Sequence, residues 1–324
     1  MDRRDSERCS LGPFPMNQEP LQEEWSSPFA ASLDASEVDP DEARRLRFVL
    51  RQSFRYHYAG PVAAVDQRLV VVPPSRHGAQ RRTFHRLSVV GAEGRASWSR
   101  DVFANSVARV RVPAVAEAVE FQVDAIIERS GRAPVLLPEA ARRDPRYLDA
   151  TDLTACDEAL SNAAHETAGA LPSGLEAAER LCSLVHGALS YRKGATSVGT
   201  TAAEAFGIGA GVCQDHAHVM IAMCRALGLP ARYVSGHMLG EGSTHAWVEV
   251  ILPHPRRADA ALALPFDPCH GRRPGASYVT VAVGRDYRDV APTSGTYQGG
   301  FSNHLTSATR LGVSVVEGPS AKTR

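Results

Sequence analysis

Residues 207–230 constrain this chain more than any other stretch. Gly207-Ile208-Gly209-Ala210-Gly211-Val212 leads straight into Cys213-Gln214-Asp215-His216, and an apolar helical run follows until Gly228-Leu229-Pro230 stops it. A cysteine therefore opens a helix. The amides of a first helical turn lack intrahelical partners, and the helix dipole favours negative charge there. Both effects favour thiolate over thiol, so Cys213 has the setting of a nucleophile. At 100° per residue, Cys213, Ala217, Met220, Ile221, Cys224 and Leu227 share one face, while Gln214, His218, Ala222 and Arg225 lie on another side. The apolar face needs a surface to cover. The sequence supplies it next, because beyond Pro230 the period switches from helical to alternating. Stretches 231–237, 245–252, 261–267 and 277–283 read as successive strands. Helical patterns precede them at 152–170, 174–189 and from Thr201 to about Gly207, where Thr201-Ala202-Ala203-Glu204 fits a capping box. Helices followed by an antiparallel sheet make this half α+β.

A nucleophile needs a base and an orienting group. In 245–252, alternation puts His245, Trp247, Glu249 and Ile251 on one face and Ala246, Val248, Val250 and Leu252 on the other. Asp267 closes the following strand. If 252 pairs with 260 across the intervening loop, 245 falls opposite 267. Asp267 can then accept from one nitrogen of His245 while the other faces Cys213. The backbone amides at the helix start can hold an oxyanion, with Gln214 as a candidate extra donor. Trp247 reads equally as cleft wall or core.

The first part of the chain has a different texture. Stretches 46–58, 67–72, 82–90, 96–103, 106–112 and 118–127 are rich in Val, Phe, Tyr and Arg and are separated by Gly, Pro or Asn. They predict a β-sandwich-like domain over 43–130. Residues 1–42 are polar and aperiodic and read as a disordered tail, whose Trp25 and Phe29 could dock elsewhere on the protein. Residues 131–150 read as a proline-bearing linker, 151–317 as the catalytic domain with its last segment closing the sheet, and 318–324 as a second tail.

Lys+Arg 36 balance Asp+Glu 36, which gives no electrostatic case for nucleic acid or an anionic membrane as partner. No apolar run approaches a membrane span and residues 1–20 lack the apolar segment of a secretory signal, so a cytoplasmic location is expected. The six cysteines show no paired spacing and are expected to be free thiols. His216 and His218 stand two apart, whereas two helical ligands of one ion want a spacing of three or four. A site from Cys213, His216 and His237 is the other arrangement weighed, and no metal or cofactor is expected. His218 is expected to cap or to hydrogen-bond locally, and Asp215 to complement the dipole.

Taken together, Gly211-Val212-Cys213-Gln214-Asp215, the run from Cys224 to Gly236, His245-Ala246-Trp247-Val248-Glu249-Val250 and Phe266-Asp267-Pro268 resemble the bacterial transglutaminase-like superfamily. Tyr56-His57-Tyr58 with Pro61-Val62 is similar to the β-rich region that precedes that domain, and Gly284-Arg285-Asp286-Tyr287 to its C-terminal segment. The resemblance spans about 43–317. It implies a papain-like core of helices on an antiparallel sheet, with Cys213 as nucleophile, His245 as base and Asp267 as orienter. It implies a thioester acyl-enzyme on a peptide or protein substrate. Hydrolysis is expected first. Protein-glutamine transamidation and a non-catalytic peptide-binding scaffold are the alternatives. The sequence says nothing of oligomeric state. Cys269 and His270 depart from the Thr and Asn often found there, His216 from an aromatic, and the loop 253–263 is longer than usual.

Overall fold

The computed structural model describes residues 8–11, 39–171 and 173–318. The expected tail 1–42 falls mostly outside them, as do Trp25 and Phe29 and most of 318–324. Four tail residues, Arg8–Leu11, form a strand paired with Thr293–Gln298. Strands hold 47% of the residues and helices 23%, so the α+β description fits the second half and the whole is β-dominated.

Three five-stranded sheets form the frame. Two face each other in the N-terminal part, as alternating apolar strands require. One runs Asn303–Glu317, Arg45–Tyr58, Ala118–Ser130, Gln80–Val90, Arg76–His77. The other runs Arg8–Leu11, Thr293–Gln298, Val62–Val72, Ser106–Val115, Arg95–Arg100. Phe54 and Tyr56 from the first meet Val65, Leu69 and Val110 from the second in one core. The hairpin between Arg95–Arg100 and Ser106–Val115 needs no glycine because Asp101 Oδ1 accepts from the amides of both Phe103 and Asn105.

The third sheet carries the site. Its order is Tyr278–Gly284, Ala231–Met238, Thr244–Pro253, Ala260–Phe266, Val135–Pro138, all antiparallel. The 131–150 segment is thus more than a linker, since Val135–Pro138 forms the sheet edge against Ala260–Ala263. The segment 293–317 does not close this sheet. Its two strands pair with Val62–Val72 and Arg45–Tyr58 and so return the chain to the sandwich. The opposite edge, Tyr278–Gly284, has no neighbouring strand on its outer side among the described residues, and two buried side-chain amides stand in for one. Gln80 donates to Thr280 O and accepts from its amide, and Asn105 does the same for Val283.

The cysteine helix, Cys213–Ala226, lies against the face formed by Ala246, Val248, Val250 and Leu252. Glu158–Ala168 and Gly174–Ala188 pack around it. The sequence places only one face of the cysteine helix in the core, yet every residue from Gln214 to Arg225 is buried. Its polar side is buried because its long polar side chains find partners, Arg225 above all. Arg225 donates to Thr154 Oγ1 and to the carbonyls of Tyr147, Ala231 and Arg285. Met220, Ile221 and Met223 are fully buried and each contributes about 1.5–3 kcal/mol. The expected helix over 152–170 breaks in two. Thr151 caps a single turn at Asp152–Thr154, and Asp157 caps a fresh start at Glu158.

Candidate active site

The approach to Cys213 is set by two of its three glycines. Gly209 has φ +66° and caps the helix Ala202–Ile208 through its amide. Gly211 lies so close to Asp215 that an added Cβ would meet that side chain at 2.6 Å. Gly207 has open space where a Cβ would go. Asp215 Oδ2 accepts from the amide of Val212 at 2.7 Å and from Thr196 Oγ1 at 2.7 Å. It therefore anchors the chain just before the nucleophile as well as complementing the dipole. The amides of Asp215 and His216 both donate to Val212 O. The amides of Cys213 and Gln214 have no acceptor among the described residues, and they face the end where the thiol sits.

Cys213 lines a cavity of about 510 Å³ together with Gln214, Tyr191, Tyr233 and His245. Lys193 is the only Lys or Arg lining it among the described residues; hydroxyls of Thr196, Ser197 and Ser235 make up much of the polar lining. Gln214 is buried, and its amide donates to Val198 O at 3.3 Å. In this state it fastens the 190s loop to the helix start instead of offering a side-chain donor to an oxyanion.

His245 is the second residue of Thr244–Pro253, 3% exposed. Its Nε2 donates to Asp267 Oδ2 at 2.8 Å, which fixes the proton on Nε2 in the neutral ring and turns Nδ1 toward the other partners. Glu241 Oε2 is 3.4 Å from Nδ1, and Cys213 is near enough to act on the ring. Burial opposes a charge on His245, but the hydrogen bond to Asp267 and the neighbouring Cys213 outweigh it and raise the ring to about 10. The protonated form of the ring is favoured accordingly.

Asp267 is fully buried and accepts five hydrogen bonds. Oδ2 takes His245 Nε2, His270 Nδ1 at 2.9 Å and Tyr278 Oη at 2.7 Å, while Oδ1 takes the amides of Cys269 and His270. Burial alone would raise this carboxyl, but the bonds from His245 and Tyr278 bring it down to about 2. The pairing differs from the expected register. Val248 pairs with Phe266 and Leu252 with Leu262, a slip of two from 252 with 260. A slip of two keeps every side chain on its face. Asp267 follows the last ladder pair, in a two-way bridge with Arg272 that turns the chain back.

Trp247 does not line the cysteine cavity. It packs with Val234, Met238, Tyr278 and Val283, stacked 6.1 Å from His245. Cys213, His216 and His237 are not brought together as a donor group among the described residues. His216 sits between Val212 O and Leu189 O, and His237 lies near Ser243 O with burial lowering its ring to about 4. His218 does not bond locally. Its Nε2 accepts from the Tyr287 amide, and burial lowers it to about 3. Sequence reasoning missed Glu241 and Tyr278. No local pattern marks them, because both reach the site through strand order and a tight connection. His270 stands out in the sequence only as a departure from the expected residue.

Comparison with known proteins bears on family and fold. The profile of the transglutaminase-like superfamily matches residues 161–259, and that of the bacterial transglutaminase-like N-terminal region matches 48–128. Cys213 and His245 fall inside the first match, and Asp267 lies just beyond it. Uncharacterized proteins of Mycobacterium tuberculosis and Mycobacterium bovis are each 31% identical over 301 residues, which cover 83% of this chain and 92% of theirs. A candidate cysteine protease of Cytophaga hutchinsonii of known structure shares 19% identity at a TM-score of 0.62, over 86% of this chain and 93% of its own. At that identity the likeness is one of fold.

Proposed function

Because this chain belongs to the transglutaminase-like superfamily, we propose that it is a cysteine hydrolase that cleaves peptide or other amide bonds through Cys213, His245 and Asp267. One observation carries the reading. A buried imidazole is held between a buried carboxylate and a cysteine at a helix start, and the cysteine opens into a cavity. A scaffold that only bound peptides would need none of these three groups.

In this reading the Cys213 thiolate attacks the substrate carbonyl carbon, forming a C–S bond and an oxyanion. The amides of Cys213 and Gln214, without acceptors among the described residues, would receive that oxygen. The His245 imidazolium gives its Nδ1 proton to the leaving amine as the C–N bond breaks, which leaves a thioester. Water then attacks the thioester and passes its proton to His245, and the acid leaves as the thiolate is restored. Asp267 holds the ring in one tautomer throughout. The cavity's aromatic and hydroxyl lining suits a neutral polar chain such as a peptide backbone.

The test is incubation of the full chain and its Cys213→Ala variant with a peptide library, with and without a primary amine, read by mass spectrometry. Fragments that gain water with the wild type alone support hydrolysis. Products that gain the amine in preference to water would replace hydrolysis with transamidation. Equal outcomes for wild type and variant would sink the nucleophile assignment.

A further inference from the structure

A second histidine shares the triad's carboxylate. Asp267 Oδ2 accepts from His245 Nε2 at 2.8 Å and from His270 Nδ1 at 2.9 Å. One oxygen thus sets the tautomer of two rings, whose centroids are 5.0 Å apart. The nitrogens left over are His245 Nδ1 and His270 Nε2, and both turn to the same group. His245 Nδ1 lies 3.4 Å from Glu241 Oε2 and His270 Nε2 lies 3.4 Å from Glu241 Oε1. A proton on the ring lets His245 Nδ1 bond Glu241; once that proton leaves, the ring nitrogens and the carboxylate oxygens all present lone pairs that a divalent cation can take up.

The spacing has the size that a metal sets. Direct hydrogen bonds to a carboxylate run shorter, as the two to Asp267 do. Ligand atoms at zinc's usual 2.0–2.2 Å bond lengths, arranged as a tetrahedron, stand about 3.3–3.6 Å apart. One donor atom from each of Glu241, His245 and His270 lies within 4.8 Å of the others. A histidine that binds a metal typically donates its other N–H to a carboxylate, which orients the ring and raises its basicity. Asp267 does this for both rings at once. The side chains of Glu241 and His270 are 30% and 33% exposed, which leaves an ion a path from solvent.

We propose that Glu241, His245 and His270 form a binding site for a divalent transition-metal ion of the zinc type, at the side of His245 that Cys213 uses. A bound ion occupies Nδ1, so the ring can no longer stabilise a thiolate or pass a proton. The site therefore works as a metal-dependent off state of the thiol. That regulatory half rests on the proposed catalytic reading, whereas the metal site itself does not.

The experiment needs no substrate. Zinc is titrated into the full chain by calorimetry, and Cys213 alkylation by iodoacetamide is followed with and without zinc. The variants are His270→Asn, whose amide keeps a donor for Asp267 but is a poor ligand, Glu241→Gln and Cys213→Ala. Expected is one zinc per chain in wild type and in Cys213→Ala. His270→Asn and Glu241→Gln should each bind at least about 100-fold more weakly, more than the loss of an outer-shell partner costs. Zinc should slow alkylation of wild-type Cys213 by about tenfold or more, and should not do so in His270→Asn at the same concentration. No binding by wild type, equal binding by the His270 and Glu241 variants, or binding lost only in Cys213→Ala would overturn the site. Binding without an effect on alkylation would overturn the off state. Failure of peptide cleavage would leave each of these readouts intact.

Discussion

Asp267→Asn tests the site most sharply, because the surroundings dictate how an amide must sit. Oδ1 receives two backbone N–H groups, from Cys269 and His270, and neither can turn to accept. The amide oxygen must take that position, which puts the NH₂ where Oδ2 was. There it faces His245 Nε2, His270 Nδ1 and the Tyr278 hydroxyl. The hydroxyl can rotate to accept. His245 can accept only by moving its proton to Nδ1, which turns a base toward Cys213 into a donor. The magnitude follows from His245 standing at about 10 against an ordinary 6.5. That rise is worth about 5 kcal/mol in favour of imidazolium. Asp267 is the first of the partners that hold the ring up, so its loss moves the imidazolium midpoint down. The assay is the rate of Cys213 alkylation by iodoacetamide across pH, with peptide cleavage measured in parallel. With less imidazolium beside it the thiolate forms only at higher pH, so the alkylation profile should move up, and turnover should drop by about 10⁴ as expected for a wrong tautomer. An alkylation profile that superimposes on the wild type would refute the role given to Asp267.

Four further outcomes are expected. Iodoacetamide should label Cys213 well before Cys224 at neutral pH, since burial pushes Cys224 up to about 12; tryptic mapping reads the order, and the reverse would remove the helix-start argument. Asp267 stands at about 2 against an ordinary 3.8, so its ionised form stabilises the fold above pH 3.8 and that stability is lost as pH falls through 2. The loss is about 2 kcal/mol, visible in urea midpoints of wild type and absent from Asp267→Asn. Tyr278→Phe removes a buried hydroxyl that donates to Asp267 and accepts from Arg272, and should cost about 1–2 kcal/mol in the same assay. Asn105→Ala strips both partners from Val283 and should cost about 1–3 kcal/mol for each buried group left unpaired; a change near zero would show that water replaces the side chain.

Local chemistry made much of the architecture legible. The strand patterns at 46–58, 106–112 and 118–127 fall inside Arg45–Tyr58, Ser106–Val115 and Ala118–Ser130, because alternating burial writes itself into the side chains. The cysteine helix was bounded by its glycine approach and by Gly228-Leu229-Pro230 for equally local reasons. Two readings failed because they needed partners far away in the chain. The 131–150 segment looks like a linker until Ala260–Ala263 is placed beside it. The strands within 293–317 read as strands anywhere, and only pairing shows that they belong to the sandwich. The helical wheel marked His218 and Arg225 as a second side of the helix, but it cannot tell a solvated side from one buried among carbonyls. Arg225 is buried because four acceptors from three separate segments meet it.

The meeting of His245 and Asp267 shows how far periodicity reaches. Alternation fixes the face of a strand, and a face survives any register error of two residues. The expected pairing of 252 with 260 was wrong by that amount, yet it put His245 and Asp267 on the same side of the sheet. Periodicity does not fix what stands at the end of a strand. Asp267 lies past the last ladder pair, where the bridge to Arg272 returns the chain and presents the amides of Cys269 and His270 to one carboxylate oxygen. That turn also carries the His270 ring to the other oxygen and toward Glu241. A sequence pattern can therefore find the triad's faces, while the loop that follows Phe266 decides which further groups share its carboxylate. The substitution to make in that loop is His270→Asn, since it changes the shared partner without touching the strand that positions Asp267.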